Sequence, residues 1–453
     1  MNPFAFPWLD LAIAVPLLGA AVVALLRDAR SASNWCIAFA GVSLACASMA
    51  ATGHFAGYAA GTLRGIEPAF RIDDLSAPLI PLIALLHLSV ALATARTQAG
   101  RFSFARLLLF ASLRSAVFAC AGSWPLIAFL ALETMLTPLG NRRSFRLRDL
   151  GFLHSVLASA LLVLGFAVGA RWSELGAMLI LLAALVRTGG LPAQVWVTDL
   201  FENGSFGSAL LSVVPLVGVY AAVRLALPTA PEWALEIFGI AALVTALYAA
   251  GMGVVERDSR RFFAYLCVSH GALVMVGVGL HTPFAVTSAL VMWLSSALSL
   301  MGVGLILRAL EARVGTLALT EYRGLFDKAP LLAIGFLLTG LATVGFPGTS
   351  GFVAVEILVD EGVGSHEAVG LAVVLIAAIN GIGVVRAYLL LFTGRRNTPG
   401  VALGITVREK IVVLALAALI LCGGLIPQAY LESRHRAAEG LLRARHEAKL
   451  HTD

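Results

Sequence analysis

Apolar stretches separated by short polar loops run the whole length of this 453-residue chain. Each stretch is long enough to cross roughly 30 Å of hydrocarbon as a helix. Leu9 to Leu26, Leu150 to Val168, Pro231 to Val255 and Ile411 to Ile426 are examples. The pattern predicts an all-α polytopic membrane protein with about fourteen transmembrane helices. They fall near 8–26, 34–53, 75–95, 104–120, 123–140, 150–169, 173–189, 206–227, 233–255, 262–280, 284–308, 329–346, 366–392 and 411–428. A shorter apolar piece, 351–359, lies between the twelfth and thirteenth. A β-barrel would need polar alternation along each strand, and that alternation is absent. The first stretch lacks a basic leading region, so it reads as a retained helix rather than a cleavable leader. The chain is expected to be a multi-pass protein of a bacterial cell inner membrane, in contact with the lipid bilayer.

Composition narrows the function. Hydrophobic residues make up 59% and charged residues 13%, against about half and a quarter in soluble domains, so a soluble enzyme is excluded. The net charge of +6 does not imply nucleic-acid binding, because the basic residues sit mainly in short loops where the topology rule explains them. The loops after predicted helices 1, 3, 5, 9, 11 and 13 carry Arg27 and Arg30; Arg96 and Arg101; Arg142, Arg143, Arg146 and Arg148; Arg257, Arg260 and Arg261; Arg313, Arg323 and Lys328; and Arg395, Arg396, Arg408 and Lys410. These loops are expected in the cytoplasm and both termini outside. Arg64 and Arg71 after helix 2 count against that reading. So does the tail with Arg434, Arg436, Arg443, Arg445 and Lys449, which one further crossing would bring inside.

Cys36, Cys46, Cys120, Cys267 and Cys422 lie in apolar stretches without metal or iron–sulfur spacing, so they read as small side chains of packed helices, with no metal site. No Walker sequence and no nucleotide fingerprint is present, and no cofactor is expected. Energy for any transport must come from an ion gradient or a partner subunit.

Ionisable side chains inside apolar stretches are costly and mark candidate ion paths. Glu133 stands near the middle of the fifth predicted helix and is the first candidate. Its carboxylate needs a cation, water or a proton there, and it can alternate between states as a partner moves. Arg187 closes the seventh helix and is expected to pair with Glu133 or to reach the interface. His270, within 262–280, can relay protons or serve as a hydrogen-bond partner, with His87 and His154 as weaker candidates. Glu356 and Asp360 share one face of a short helix and, with Glu361, suggest a vestibule for cations. Asp199 and Glu202 occupy the corresponding place earlier in the chain, and Asn380 and Arg386 suggest a polar pair in the thirteenth helix. Only Lys328, Lys410 and Lys449 are lysines, none mid-stretch, so intramembrane cations must be arginine or histidine. Arg187-Thr-Gly-Gly-Leu-Pro192 resembles Ala342-Thr-Val-Gly-Phe-Pro347. Such paired interruptions suggest a repeat with two broken helices beside protein or a wet cavity.

Four stretches carry a family resemblance over roughly residues 70 to 395: the acidic helix around Glu133; Arg187 through Leu210; Asp258 through His270; and Gly345-Phe-Pro-Gly-Thr-Ser-Gly-Phe352. Together they resemble the antiporter-like M- and L-type membrane subunits of respiratory complex I and of multisubunit cation/proton antiporters. The resemblance implies two inverted five-helix repeats with two broken helices and a central polar axis. Proton or monovalent-cation movement would be coupled to other membrane subunits of a hetero-oligomeric complex. By this resemblance Glu133 is the acidic partner and Arg187 stands where a proton-handling lysine would be. Leu132 replaces the usual tryptophan, and Leu216, Ser296 and Leu300 stand near positions of a lysine, a histidine and a lysine. The organisation implied is 1–100 N-terminal helices, 101–230 and 231–395 first and second repeats, and 396–453 a C-terminal helix with a basic tail. A non-pumping structural subunit and a membrane subunit of an inorganic-carbon uptake system are the alternatives. Autonomous catalysis is not expected, although a subunit of NADH:quinone oxidoreductase would carry that enzyme's name.

Overall fold

A computed structural model describes residues 4, 6–58, 70–100, 102–137, 145–394 and 404–450. Arg64, Arg101, Arg142, Arg143, Arg395 and Arg396 lie outside these residues. The chain divides into two compact units, Met1–Thr137 and Pro138–Asp453. Among the described residues the regular structure is helical, with only isolated bridges between Phe70 and Cys120 and between Asp258 and Ala318.

The first unit contains α1 (Trp8–Leu25), α2 (Ala29–Phe55), α3 (Leu79–Leu92), α4 (Arg96–Ala99), α5 (Phe104–Ala119) and α6 (Ser123–Leu136). Helix α2 starts earlier than its hydropathy suggests. The Asp28 carboxylate accepts the Ser31 N–H at 2.8 Å and the Arg30 N–H at 3.3 Å, capping a polar first turn. Pro16 lies inside α1 and has no N–H to give the carbonyl of Ala12. The Ser43 hydroxyl of α2 donates to that carbonyl at 2.9 Å, and the Ser112 hydroxyl of α5 donates to Ile13 at 2.8 Å. Two serines from neighbouring helices thus serve the polar groups that a proline exposes, as an apolar surrounding requires. Helix α1 packs on both α2 and α5.

The second unit contains α7 (Phe145–Gly169), α8 (Ser173–Thr188), α9 (Val195–Asn203), α10 (Phe206–Val213), α11 (Val217–Ala221), α12 (Glu232–Val255), α13 (Ser259–Leu280), α14 (Pro283–Val314), α15 (Pro330–Thr343), α16 (Ser350–Ser365), α17 (Glu367–Phe392), α18 (Val407–Leu425) and α19 (Gln428–Leu450). Helices α13 and α14 form its centre and are buried along almost their whole length, whereas α12 and α17 are buried on one side only. Glycines allow the close crossing of α12 and α13. A Cβ on Gly279 would lie 2.5 Å from the Cα of Gly239, so position 279 has no room for a side chain.

Eight helices among the described residues are long and apolar enough to cross a membrane, and α18 with α19, bent by 77°, would make a ninth. The chain is a multi-pass membrane protein. Three features differ from the hydropathy reading. Helix α9 follows an interruption at Gly189, whose φ of 81° ends α8, and the cis Leu191–Pro192 bond. The apolar piece at 351–359 is the core of a longer helix, α16. The basic tail is an ordered helix, α19, lying along α14. It buries Ala437, Ala438 and Leu441 together with Arg434 and Arg445 and leaves Arg436, Glu439, Arg443 and Glu447 outward. Of the cysteines, Cys422 on α18 is exposed, whereas the other four are buried. The expectation that all five sit in packed surroundings therefore fails at Cys422, which faces outward from its helix.

Ion pairs and caps tie together one end of the second unit. Arg261 meets Glu202 and Glu256, both at 3.0 Å, and Arg313 meets Glu409 at 2.6 Å. Arg260 donates to the carbonyls of Phe201 and Gly204, both at 3.0 Å, at the end of α9. At the other end the Thr282 hydroxyl donates to Glu361, and Arg445 reaches back from α19 to the Leu227 carbonyl at 2.7 Å.

Candidate functional site: a buried arginine, glutamate and histidine

Helix α6 is short, and Glu133 sits in its last turn rather than at the middle of a span. Its carboxylate is fully buried, and the cation that meets it comes from α5. Arg114 donates to Glu133 Oε1 through Nε at 3.0 Å and through Nη2 at 2.7 Å. Arg114 is itself only 1% exposed, and the Phe110 ring lies 4.9 Å from its guanidinium carbon. The third contact of the guanidinium runs from Nη1 to His87 Nε2 on α3, at 3.2 Å. His87 Nδ1 lies 2.8 Å from the carbonyl of Ile83, one turn earlier in its own helix.

These contacts fix proton positions. Arginine has donors only, so His87 Nε2 must present its lone pair. The ring is then neutral, with its proton on Nδ1 and donated to Ile83. The cluster is one cation, one anion and one neutral acceptor, and the two charges are joined by charge-assisted hydrogen bonds. Such pairs are held in place because separating them leaves a charge stranded in an apolar surrounding.

Sequence reasoning found Glu133, ranked His87 low and passed over Arg114. A signal was present: Arg114 is the lone charge within Leu107-Leu-Leu-Phe-Ala-Ser-Leu-Arg-Ser-Ala-Val-Phe-Ala119. The expected partner, Arg187, behaves differently. It stands in the last turn of α8, donates to the Ser212 carbonyl at 3.3 Å and lies over the Trp196 ring at 5.4 Å. Trp196 in turn donates through Nε1 to the Val186 carbonyl at 2.9 Å, which also accepts the Gly189 N–H, so the two side chains serve carbonyls at helix ends.

In the second unit His270 is buried in α13, with Nδ1 at 2.8 Å from Leu266 O and Nε2 at 2.7 Å from Thr343 O. Thr343 is the last residue of α15, so the imidazole supports the end of an interrupted helix. Next to it Asn380 donates to Ser269 Oγ at 2.9 Å, and Ser269 donates to Ala246 O at 3.1 Å. Arg386 does not share that chain. It donates to the carbonyls of Glu256 at 3.0 Å and Leu319 at 3.1 Å near the arginine-rich end. Asp199 accepts from Asn203, and Glu202 is taken up by Arg261. Glu356 and Asp360 are exposed on α16. Leu216 and Leu300 are buried apolar side chains, and the polar Ser296 is buried as well. Among the described residues no group of histidine, cysteine and carboxylate side chains has the makings of a metal site.

Residues 111–380 match the family described as NADH:quinone oxidoreductase/Mrp antiporter, TM. The chain belongs to this family. Subunit 13 of the NADH-quinone oxidoreductase of Thermus thermophilus is 32% identical over 241 residues, 52% of this chain and 48% of the relative. Subunit M of Rickettsia bellii is 27% identical over 272 residues, 58% and 55% of the two chains. The chain thus spans about half the length of these curated relatives. A chain of respiratory complex I from Thermus thermophilus shares the fold with a TM-score of 0.86 and 24% identity, over 96% of this chain and 99% of that one. A chain of the Mrp complex from Dietzia sp. DQ12-45-1b gives 0.85 and 20%, over 97% and 98%. The matched region begins within α5, so Arg114 and Glu133 lie inside it and His87 lies before it.

Proposed function

We propose that this chain is a membrane subunit of a proton- or cation-translocating complex of the NADH:quinone oxidoreductase and antiporter kind, with Glu133 in a buried polar axis. It would sit in a bacterial inner membrane beside other membrane subunits, since its relatives are named as subunits of such complexes. The observation that carries the reading is the fully buried Glu133 carboxylate joined to Arg114, which in turn reaches His87. Charges are expensive inside a membrane and persist where an ion path or a charge-coupling element uses them. The finer architecture belongs to the same reading. About fourteen crossings and two inverted five-helix repeats would include interrupted pairs at α8–α9 and α15–α16. The arginine-rich end of the second unit would face the cytoplasm. Arg187 and His270 would stabilise the two interruptions, and Asn380 would extend the polar line, while Asp199, Glu202, Glu356 and Arg386 are secondary.

The test is Glu133→Gln in the complete complex, assayed in sealed vesicles for proton or sodium flux with subunit content measured alongside. Loss of flux at normal assembly is the expected result. Full flux at normal assembly removes Glu133 from the path. A second reading, a structural subunit without its own ion path, is favoured by the apolar Leu216 and Leu300. It predicts that deletion abolishes assembly while Glu133→Gln and Arg187→Ala are tolerated.

A further inference from the structure

The geometry points to His87 as a positioning residue whose protonation state decides whether Arg114 donates to it as well as to Glu133. The inference rests on the proposed ion-translocating role and adds to it a residue on α3, before the region matched to the family. Arg114 can donate to His87 only through the Nε2 lone pair. A proton taken from water at that nitrogen forms an N–H bond where the hydrogen bond was. The Nη1 hydrogen must then turn away, and two cations face one carboxylate. When the proton returns to water, the lone pair is restored and Arg114 reconnects. Proton binding at His87 and the Arg114 hydrogen bond are therefore mutually exclusive.

The charged groups acting on His87 are Arg114 from α5 and Glu133 from α6. Helix α2 also packs against α3, and its buried stripe offers Ser33, Cys36, Ser43 and Cys46 but no charged side chain. On α3 itself the ring is tethered through Nδ1 to Ile83, so Nε2 cannot leave Arg114 by a ring flip without giving up that bond. Arg114 meets His87 and Glu133 through one rigid guanidinium plane, so displacement at Nη1 is felt at Nε and Nη2, the two atoms on Glu133. A charge change at His87 is thus transmitted to the carboxylate without contact between the two residues.

The experiment is the pH profile of flux in vesicles holding the complete complex, with His87→Gln compared to the native residue. Glutamine keeps one acceptor and one donor but cannot titrate. A limb governed by one proton changes flux about tenfold per pH unit. That limb should disappear in the glutamine variant, with flux lowered and flat across the range. If the variant does not assemble, His87→Asn serves in its place. Infrared titration of the unaltered complex and of Glu133→Gln provides a measurement that needs no change at His87. An imidazolium band must rise along the same pH limb and be altered when Glu133 loses its charge. A glutamine variant with the native pH profile, or no pH-dependent imidazolium band, overturns the inference. Loss of flux in Glu133→Gln together with a native profile in His87→Gln would sink this inference and keep the proposed function. Native flux in Glu133→Gln would sink both.

Discussion

Removing Arg114 should be far more damaging than removing Arg114 and Glu133 together. Arg114→Met keeps the length of the side chain and deletes the donors at 3.0 and 2.7 Å from Glu133 Oε1. With the two side chains 1% and 0% exposed, water cannot replace them. Breaking a buried pair at one partner costs about 3–5 kcal/mol, whereas replacing both by apolar groups of similar volume is close to neutral. At 1.4 kcal/mol per factor of ten, the single change should lower the folding equilibrium by about two to three and a half orders of magnitude. Arg114→Met with Glu133→Leu should recover most of that loss. Equilibrium unfolding in mixed detergent micelles, followed by tryptophan fluorescence, measures all three proteins. A single variant within about 1 kcal/mol of the native chain, or a double variant no more stable than the single, would refute the claim that charge compensation holds this cluster.

Three further outcomes follow from other contacts. Ser43→Ala and Ser112→Ala should each cost about 1–3 kcal/mol by orphaning a carbonyl near Pro16, and the Ser43 cost should shrink in a Pro16→Ala background, measured by the same unfolding assay. Gly302→Ala should destabilise by about 1–3 kcal/mol, because its Cβ would stand 2.5 Å from Thr339 Cγ2. Thr339→Ser in the same chain removes that methyl but leaves the Cβ at 339 about 2.9 Å away, so it should recover only part of the loss, and no recovery at all would place the strain elsewhere. The Asp28 carboxyl is held below its ordinary range, first by the Ser31 N–H. A depressed carboxylate stabilises above its unfolded value of 3.8 and loses that contribution as pH falls through its folded value. Amides of Arg30 and Ser31 should therefore lose hydrogen-exchange protection on acidification, and Asp28→Asn should remove the pH dependence.

Hydropathy located the helices well because a lipid-crossing segment needs continuous apolar residues, and that requirement is local. The interruptions at Gly189 and Gly345 were legible for the same reason, since glycine and proline act on their own backbone. Pairing was not. Arg114 and Glu133 lie on consecutive helices, but nothing in their spacing says that an α5 arginine turns toward α6 rather than toward Arg187's neighbourhood or the interface. His87 was ranked low because a lone histidine in an apolar run gives no hint of a guanidinium across the gap. Helix α19 was invisible as an ordered element because its stability comes from packing on α14 and from Arg434 and Arg445 burying their stems, not from its own hydropathy.

The outward-facing Cys422 offers a practical opening. Its neighbours Gly423 and Gly424 pack directly on Gly348, Thr349 and Ser350, where α16 begins after the second interruption. With the other four thiols enclosed, a small apolar maleimide should mark this position in the native sequence without any engineered cysteine. A fluorophore placed there would sit one residue from the contact and report movement of the interruption while the complex turns over.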